Sequence, residues 1–319
     1  MKSRKPLFLA AALLLSAGVV QAEPIVFGTT PNLQTAPVVV AAEKGYFDEE
    51  GVEVEFVNFT SGRAALEAII GGQLDMGFMA EYPVAVAALN EQEFRVVAGL
   101  SKYAANRIIS KASVGFETVH DLEGKRVGTT VGSNAAYFAE LVLGNAGVNA
   151  EIVNVAPPDI VPALARGDID AGVMFPDFYP AAAEALGDDY REQLSSDYIA
   201  NFVLAASPAM VDERAADVEA FLRALVKAES FIEENPSEAQ AILSQATQGA
   251  LTPEAVAGKW SEAEYAIVLD ETLVELLLSQ AQWVVEGGIL SGDLSREKLL
   301  SYFATDALES VDPDRVSLD

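Results

Sequence analysis

Residues Val52–Met79 read VEVEFVNFTSGRAALEAIIGGQLDMGFM. Apolar and polar side chains alternate from Val52 to Phe56, the two-residue period of a strand. Thr60 or Ser61 then stands where a helix N-cap belongs, and Ala65, Leu66, Ile69 and Ile70 recur at helical spacing. Gly71 and Gly72 stop that helix, and Leu74–Met79 supplies a second short apolar run. A strand, a crossover helix and a strand in so few residues set the two strands parallel.

The same alternation extends on both sides. Ile25–Thr29 (IVFGT) reads as a buried strand and TAPVVVAAEKGYF as a helix ending near Gly45. PVAVAALNEQ reads as a helix and Arg95–Leu100 as a strand. The pattern restarts after residue 103, with strands at NRIISK, Arg126–Val131 and AEIVNV, and helices at SNAAYFAELVLGNAGV and DIVPALAR. GQLDMGFMAEYP, starting at Gly72, is echoed by GDIDAGVMFPDFYP, starting at Gly167. The pairing aligns Asp75 with Asp170, Gly77 with Gly172 and Met79 with Met174. Both acids read as structural turn residues. One supersecondary unit is thus used twice, not as a solenoid array. After YIANFVLAAS the spacing is helical almost to the end.

The chain opens with the basic run Met1-Lys-Ser-Arg-Lys, an apolar run Leu7–Val20, and small residues before Ala22. The run is short for a membrane span, so residues 1–22 are expected to be a cleaved signal peptide. There is no cysteine in the 319 residues, so stability must come without disulfides. A formal charge of −28 repels nucleic acid and anionic lipid, and both are discarded as partners. The expected architecture is α/β with two lobes: 23–102 plus 203–319 as lobe 1 with a helical tail, and 103–202 as lobe 2. Each lobe is expected to hold a mostly parallel sheet flanked by helices.

Ala36–Met79, with its stretch EKGYFDEEGVEVE, resembles the periplasmic substrate-binding proteins of nitrate, sulfonate and taurine ABC importers. Asp121–Phe138 (DLEGKRVGTTVGSNAAYF) and Val153–Gly172 (VNVAPPDIVPALARGDIDAG) resemble the second lobe of that family. The resemblance covers about Ile25 to Leu290. It implies a type II periplasmic binding fold that closes over a small solute, with a permease and an ATPase of the inner membrane as partners. A periplasmic monomer without cofactor or metal is expected.

In open parallel sheets ligands sit beyond the carboxyl ends of the strands. Those ends contribute Thr30 and Asn32, Ser61 and Gly62, Glu81 and Tyr82, Ser133 and Asn134, and Asp177 and Tyr179 as candidate ligand-binding residues. Helix starts at Ser61–Gly62 and Ser133–Asn134 offer free N–H groups to an anion. Where sulfonate-type relatives carry a Gly-Ser-Ser-Pro-like loop, this chain has Ala80-Glu81-Tyr82-Pro83, and Ala136 replaces a histidine of taurine-type members. Glu81 could meet a cationic part of the ligand, pair with Arg63 or Arg107, or point outward at the rim. Tyr82 and Tyr179 offer flat walls. The expected ligand is an amine-bearing, taurine- or sulfonate-like zwitterion, with a nitrogen heterocycle such as a thiamine-precursor pyrimidine as the alternative. A pyrimidine-forming enzyme and a receptor-docking sensor are the competing functions. The only histidine, His120, lies in a turn, and no nucleophile–base or metal-binding set stands out, so no enzyme is expected.

Overall fold

The computed structural model describes residues 23–247 and 251–318, so the signal-peptide expectation for residues 1–22 lies outside the described residues. Strands β1 (Ile25–Thr29), β2 (Val54–Asn58), β3 (Met76–Ala80) and β4 (Arg95–Tyr103) precede a first crossing. Strands β5 (Arg107–Lys111), β6 (Arg126–Thr129), β7 (Glu151–Asn154), β8 (Ala171–Gly172) and β9 (Tyr190–Leu194) form a second sheet. The chain then returns through β10 (Ala200–Ala206) and β11 (Ala263–Tyr265) to the first sheet.

The first sheet has the order β11-β4-β10-β3-β1-β2 and the second the order β7-β6-β8-β5-β9. Parallel pairing holds where crossover helices join neighbours: β1 with β2 and β3, and β6 with β7 and β8. The remaining pairs are antiparallel, so both sheets are mixed, not mostly parallel. The reason is connectivity. β10 returns from the second lobe and enters between β3 and β4 from the opposite direction.

The core of lobe 1 follows from alternation along β1. Phe27 points to one face and stacks on Phe221 of the Ala215–Glu234 helix at 5.2 Å. Gly28 points to the other face, under Leu74 and Ala65 of the Gly62–Ile70 region. The long C-terminal helix Glu271–Glu286 packs on Glu81–Leu89, on the first sheet's side.

The echoed aspartates do the same work in both lobes. Asp75 Oδ2 accepts from the backbone N–H of Val26 at 2.8 Å, and Asp170 Oδ2 from that of Arg126 at 2.9 Å. Each carboxylate closes the start of the neighbouring parallel strand, and Arg126 adds an ion pair to Asp170 at 3.1 Å. One packing demand, met twice, accounts for the repeat.

Gly62 opens its helix directly against β3. A Cβ there would lie 2.6 Å from Met79 Cα and 2.8 Å from Met79 Cβ. Backbone cannot yield as a side-chain tip can. Gly62→Ala is therefore expected to cost about 1–3 kcal/mol of stability, read as a lower midpoint in urea unfolding. An unchanged midpoint would show that the helix start slides freely on the sheet.

Candidate ligand-binding cleft

The carboxyl ends of both sheets face a cleft of about 340 Å³. Lobe 1 supplies Thr29, Thr30, Asn32, Gln34, Asn58, Ser61 and Gly62 among others, and lobe 2 supplies Ser133, Asn134, Phe175, Asp177 and Phe178. Of the candidates named from sequence, Thr30, Asn32, Ser61, Gly62, Ser133, Asn134 and Asp177 are brought together here.

Several of these also hold their own loops. Ser61 Oγ accepts from Ala64 N–H at 3.2 Å, and Ser133 Oγ accepts from Ala136 N–H at 3.4 Å while donating to Thr130 O at 2.6 Å. Asn32 accepts from Thr35 N–H, and Thr30 Oγ1 donates to Phe59 O at 2.5 Å. Capping fixes the two helix starts and leaves the first N–H groups of each without an intrahelical acceptor. Both therefore point partial positive charge into the cleft, one from each lobe.

Three further groups await partners. Thr29 Oγ1 and Gln34 Nε2 are buried in the cleft wall without a hydrogen bond among the described residues. Such atoms are costly unless a ligand or water completes them. Asp177, half-buried, lines the cleft at the first turn of Pro176–Phe178. Burial pushes its carboxyl above the usual range, offset by its own backbone N–H, and among the described residues no cation pairs with it. A carboxylate so placed favours a cationic partner. Five phenylalanines, Phe59, Phe78, Phe175, Phe178 and Phe202, dominate the apolar part of the wall beside smaller alanines and prolines, with Phe78 and Phe202 stacked at 5.1 Å.

Glu81 does not line this cleft. It is 0% exposed and turns away, into the junction of lobe 1, a crossing strand and the C-terminal helix. Tyr198 Oη donates to its Oε1, Gln280 Nε2 donates to the same oxygen at 2.7 Å, and Asn201 N–H donates to Oε2 at 2.9 Å. None of the three sequence readings holds, since neutral protein donors satisfy the carboxylate. Arg63 is engaged elsewhere: it bonds Glu67 at 2.8 Å and, across the lobes, Val131 O at 2.7 Å. Arg107 pairs with Glu262 at 2.5 Å and Glu192 at 3.2 Å.

Tyr82 and Tyr179 are likewise corrected. Successive residues of a helical turn point about 100° apart, so Ala80 and Pro83 face the cleft while Tyr82 faces its back. The Tyr82 ring stacks on Tyr137 at 5.0 Å, and Tyr137 meets Tyr198 and Trp283 edge-on. This aromatic cluster, which includes Trp283, is where the lobes and tail meet. Tyr179 is 2% exposed, accepts from Arg107 N–H at 3.3 Å, and lies under the Arg107 and Lys259 cations. The sequence reading missed Gln34, Asn58, Phe78 and Phe202. Gln34 was accessible in principle, two residues past Asn32 in the same strand-end loop.

Among the described residues no group of three His or acidic side chains could hold a metal ion, and no helix is long and apolar enough to cross a membrane.

Residues 32–239 match the sequence family described as NMT1/THI5 like. The taurine-binding periplasmic protein of Escherichia coli (strain K12) is 28% identical over 195 residues, covering 60% of this chain and 59% of that protein. The formylaminopyrimidine-binding protein of Halalkalibacterium halodurans is 27% identical over 225 residues, 67% of each chain. A 4-amino-5-hydroxymethyl-2-methylpyrimidine phosphate synthase of Aspergillus parasiticus is 30% identical over 141 residues, 43% of this chain and 41% of that enzyme. Binding proteins of Brucella matched over 218 residues are spanned over 65% of their length. In fold, the chain is similar to the alkanesulfonate-binding protein SsuA from Xanthomonas axonopodis pv. citri bound to MOPS, with a TM-score of 0.74 and 19% identity. That match covers 89% of this chain and 99% of the other, and the fold is that of periplasmic binding proteins.

Desolvation raises the Glu81 carboxyl to about 7, against the bonds from Tyr198 and Gln280. A raised folded-state value means that folding takes up a proton. Its contribution is complete below about pH 4.5 and is lost as pH rises through about 7. Gln280 Oε1 is buried without a partner, so an amide flip would let it accept from a protonated Glu81 or from a glutamine there. Glu81→Gln should therefore gain stability relative to the parent between pH 5 and pH 8, by up to roughly 3 kcal/mol. A pH-independent difference in melting would contradict this.

Proposed function

The chain belongs to the NMT1/THI5 like family, and from that premise we propose that it is the exported solute-binding component of an ABC importer. In this reading it works as a periplasmic monomer, captures a small organic zwitterion between its lobes and hands it to a membrane permease driven by an ATPase. The taurine-binding relative and the fold shared with an alkanesulfonate-binding protein support the class of ligand.

The observation that carries the ligand reading is the pairing of opposite demands in one cleft. The helix starts at Gly62 and Asn134, with Gln34 Nε2, offer donors to an anionic end. Asp177, without an ion pair among the described residues, offers a carboxylate to an amine. The phenylalanine walls suit an organic body better than a bare inorganic anion, which Asp177 would repel. In this reading the amine meets Asp177, since protein donors satisfy Glu81. Closure follows because the ligand bridges groups of both lobes and so binds the closed state better than the open one.

The same phenylalanines would hold a flat nitrogen heterocycle, and the formylaminopyrimidine-binding relative makes that the second reading. No observation favours the enzyme over these.

The test is a thermal-shift comparison of taurine, ethanesulfonate, an aminomethylpyrimidine and nitrate. A ligand at a hundred times its Kd adds about 2.7 kcal/mol of stability. Taurine is expected to raise the melting temperature more than ethanesulfonate does. Asp177→Asn should weaken taurine by about tenfold or more and leave ethanesulfonate unchanged or improved. Equal losses for both, or a response to nitrate alone, would sink the zwitterion.

A further inference from the structure

A second cavity of about 310 Å³ lies behind the cleft, on the far side of Arg63 and Pro83. Lobe 1 contributes Leu66, Ile70, Tyr82 and Val86, lobe 2 contributes Val131, Ala136 and Glu140, and the tail contributes Ile289 and Leu290. The bridge from Arg63 to Val131 O stands between the two spaces. Gly132, at φ +81°, makes room for it, since a Cβ there would lie 2.5 Å from the guanidinium.

The wall is mostly aliphatic, and Val131 and Ile289 are 42% and 48% exposed. The exposed Glu67, Asn90 and Gln92 also line it, with Glu67 paired to Arg63. Two further oxygens lie on its wall. Glu140, half-buried on the Asn134–Ala146 helix, has no hydrogen bond or ion pair among the described residues. The one cation lining the cavity, Arg63, is committed to Glu67 and Val131. The Tyr82 hydroxyl likewise lacks a protein partner, and its proton is held by burial and by the nearby Glu140 carboxylate, which push it up to about 12. A carboxylate and a phenol oxygen, both without a partner among the described residues, thus face a mostly aliphatic chamber.

We propose that this inter-lobe cavity is a second binding site, separate from the cleft, for a short primary alkylammonium ion. The ammonium would donate to the Glu140 carboxylate and the Tyr82 oxygen, and the alkyl chain would lie on Leu66, Ile70, Val86 and Leu290. A neutral or anionic guest leaves the carboxylate unmatched, and a longer polar cation leaves the aliphatic wall unmatched. The site takes contacts from both lobes, so its occupation favours the arrangement in which they are apposed.

The experiment uses the mature protein carrying Asp177→Asn, which removes the cleft's own carboxylate and keeps the two sites apart. Calorimetric titration with n-butylammonium chloride is compared with n-butanol and with sodium chloride. The expected result is saturable one-site binding of butylammonium, with butanol at least about tenfold weaker. Glu140→Gln in the same background should cost at least about tenfold, and Val86→Phe, which fills the chamber from lobe 1, should abolish binding without touching the carboxylate. Equal binding of butanol, undiminished binding by Glu140→Gln, undiminished binding by Val86→Phe, or no saturation in the millimolar range would each overturn the proposal.

Discussion

The two lobes meet at a buried carboxylate. Glu81 begins a helix of lobe 1, yet its oxygens bond to Tyr198 on the crossing, Asn201 on β10 and Gln280 on the C-terminal helix. Tyr198 in turn packs against Tyr137 and Phe138 of lobe 2. A single side chain therefore holds the returning strand, the tail and the start of the helix beside the cleft in one arrangement. Neutral donors satisfy it, so it stays buried without a counter-ion. Removing one partner of such a group exposes the rest to the full cost of an unmatched polar atom. The other crossing is tied by a different chemistry, the Arg107 pairs with Glu192 and Glu262, with Tyr103 Oη donating to Glu262 at 2.9 Å. One hinge strand is thus held by a titratable acid and the other by a permanent cation.

With the crossings fixed, the cleft's chemistry is set by what remains unpaired. Among the described residues, the helix starts of both lobes, Gln34 Nε2 and Thr29 Oγ1 lack partners, and Asp177 lacks an ion pair. Groups that complete each other inside the protein, such as Glu81 or Arg107, are structural. Thr29, Gln34 and Asp177, left incomplete, face the space between the lobes. The same distinction separates Arg63, which is spent on Glu67 and Val131, from Glu140, which is not.

The two βα lobes were legible because periodicity and turn residues are local. The echoed Asp75 and Asp170 were legible as scaffold for the same reason, and their bonds to Val26 and Arg126 show what the repeat is for. Antiparallel β10 was not legible as such, since nothing in YIANFVLAAS says which neighbour it will find. Seven cleft residues followed from strand ends alone. Glu81, Tyr82 and Tyr179 did not, because at a helix start the side chain's direction changes with each residue and the partners are remote. Those of Glu81 lie 117, 120 and 199 residues away. Phe78 and Phe202 are wall and core at once.

The central claim is that one solute engages both lobes through the two helix starts. Amide hydrogen exchange reads those amides directly. With a saturating amount of whichever ligand gives the largest thermal shift, the amides of Gly62–Ala64 and of Asn134–Ala136 should both slow. Protection confined to one lobe, or absent from both, would contradict capture between the lobes.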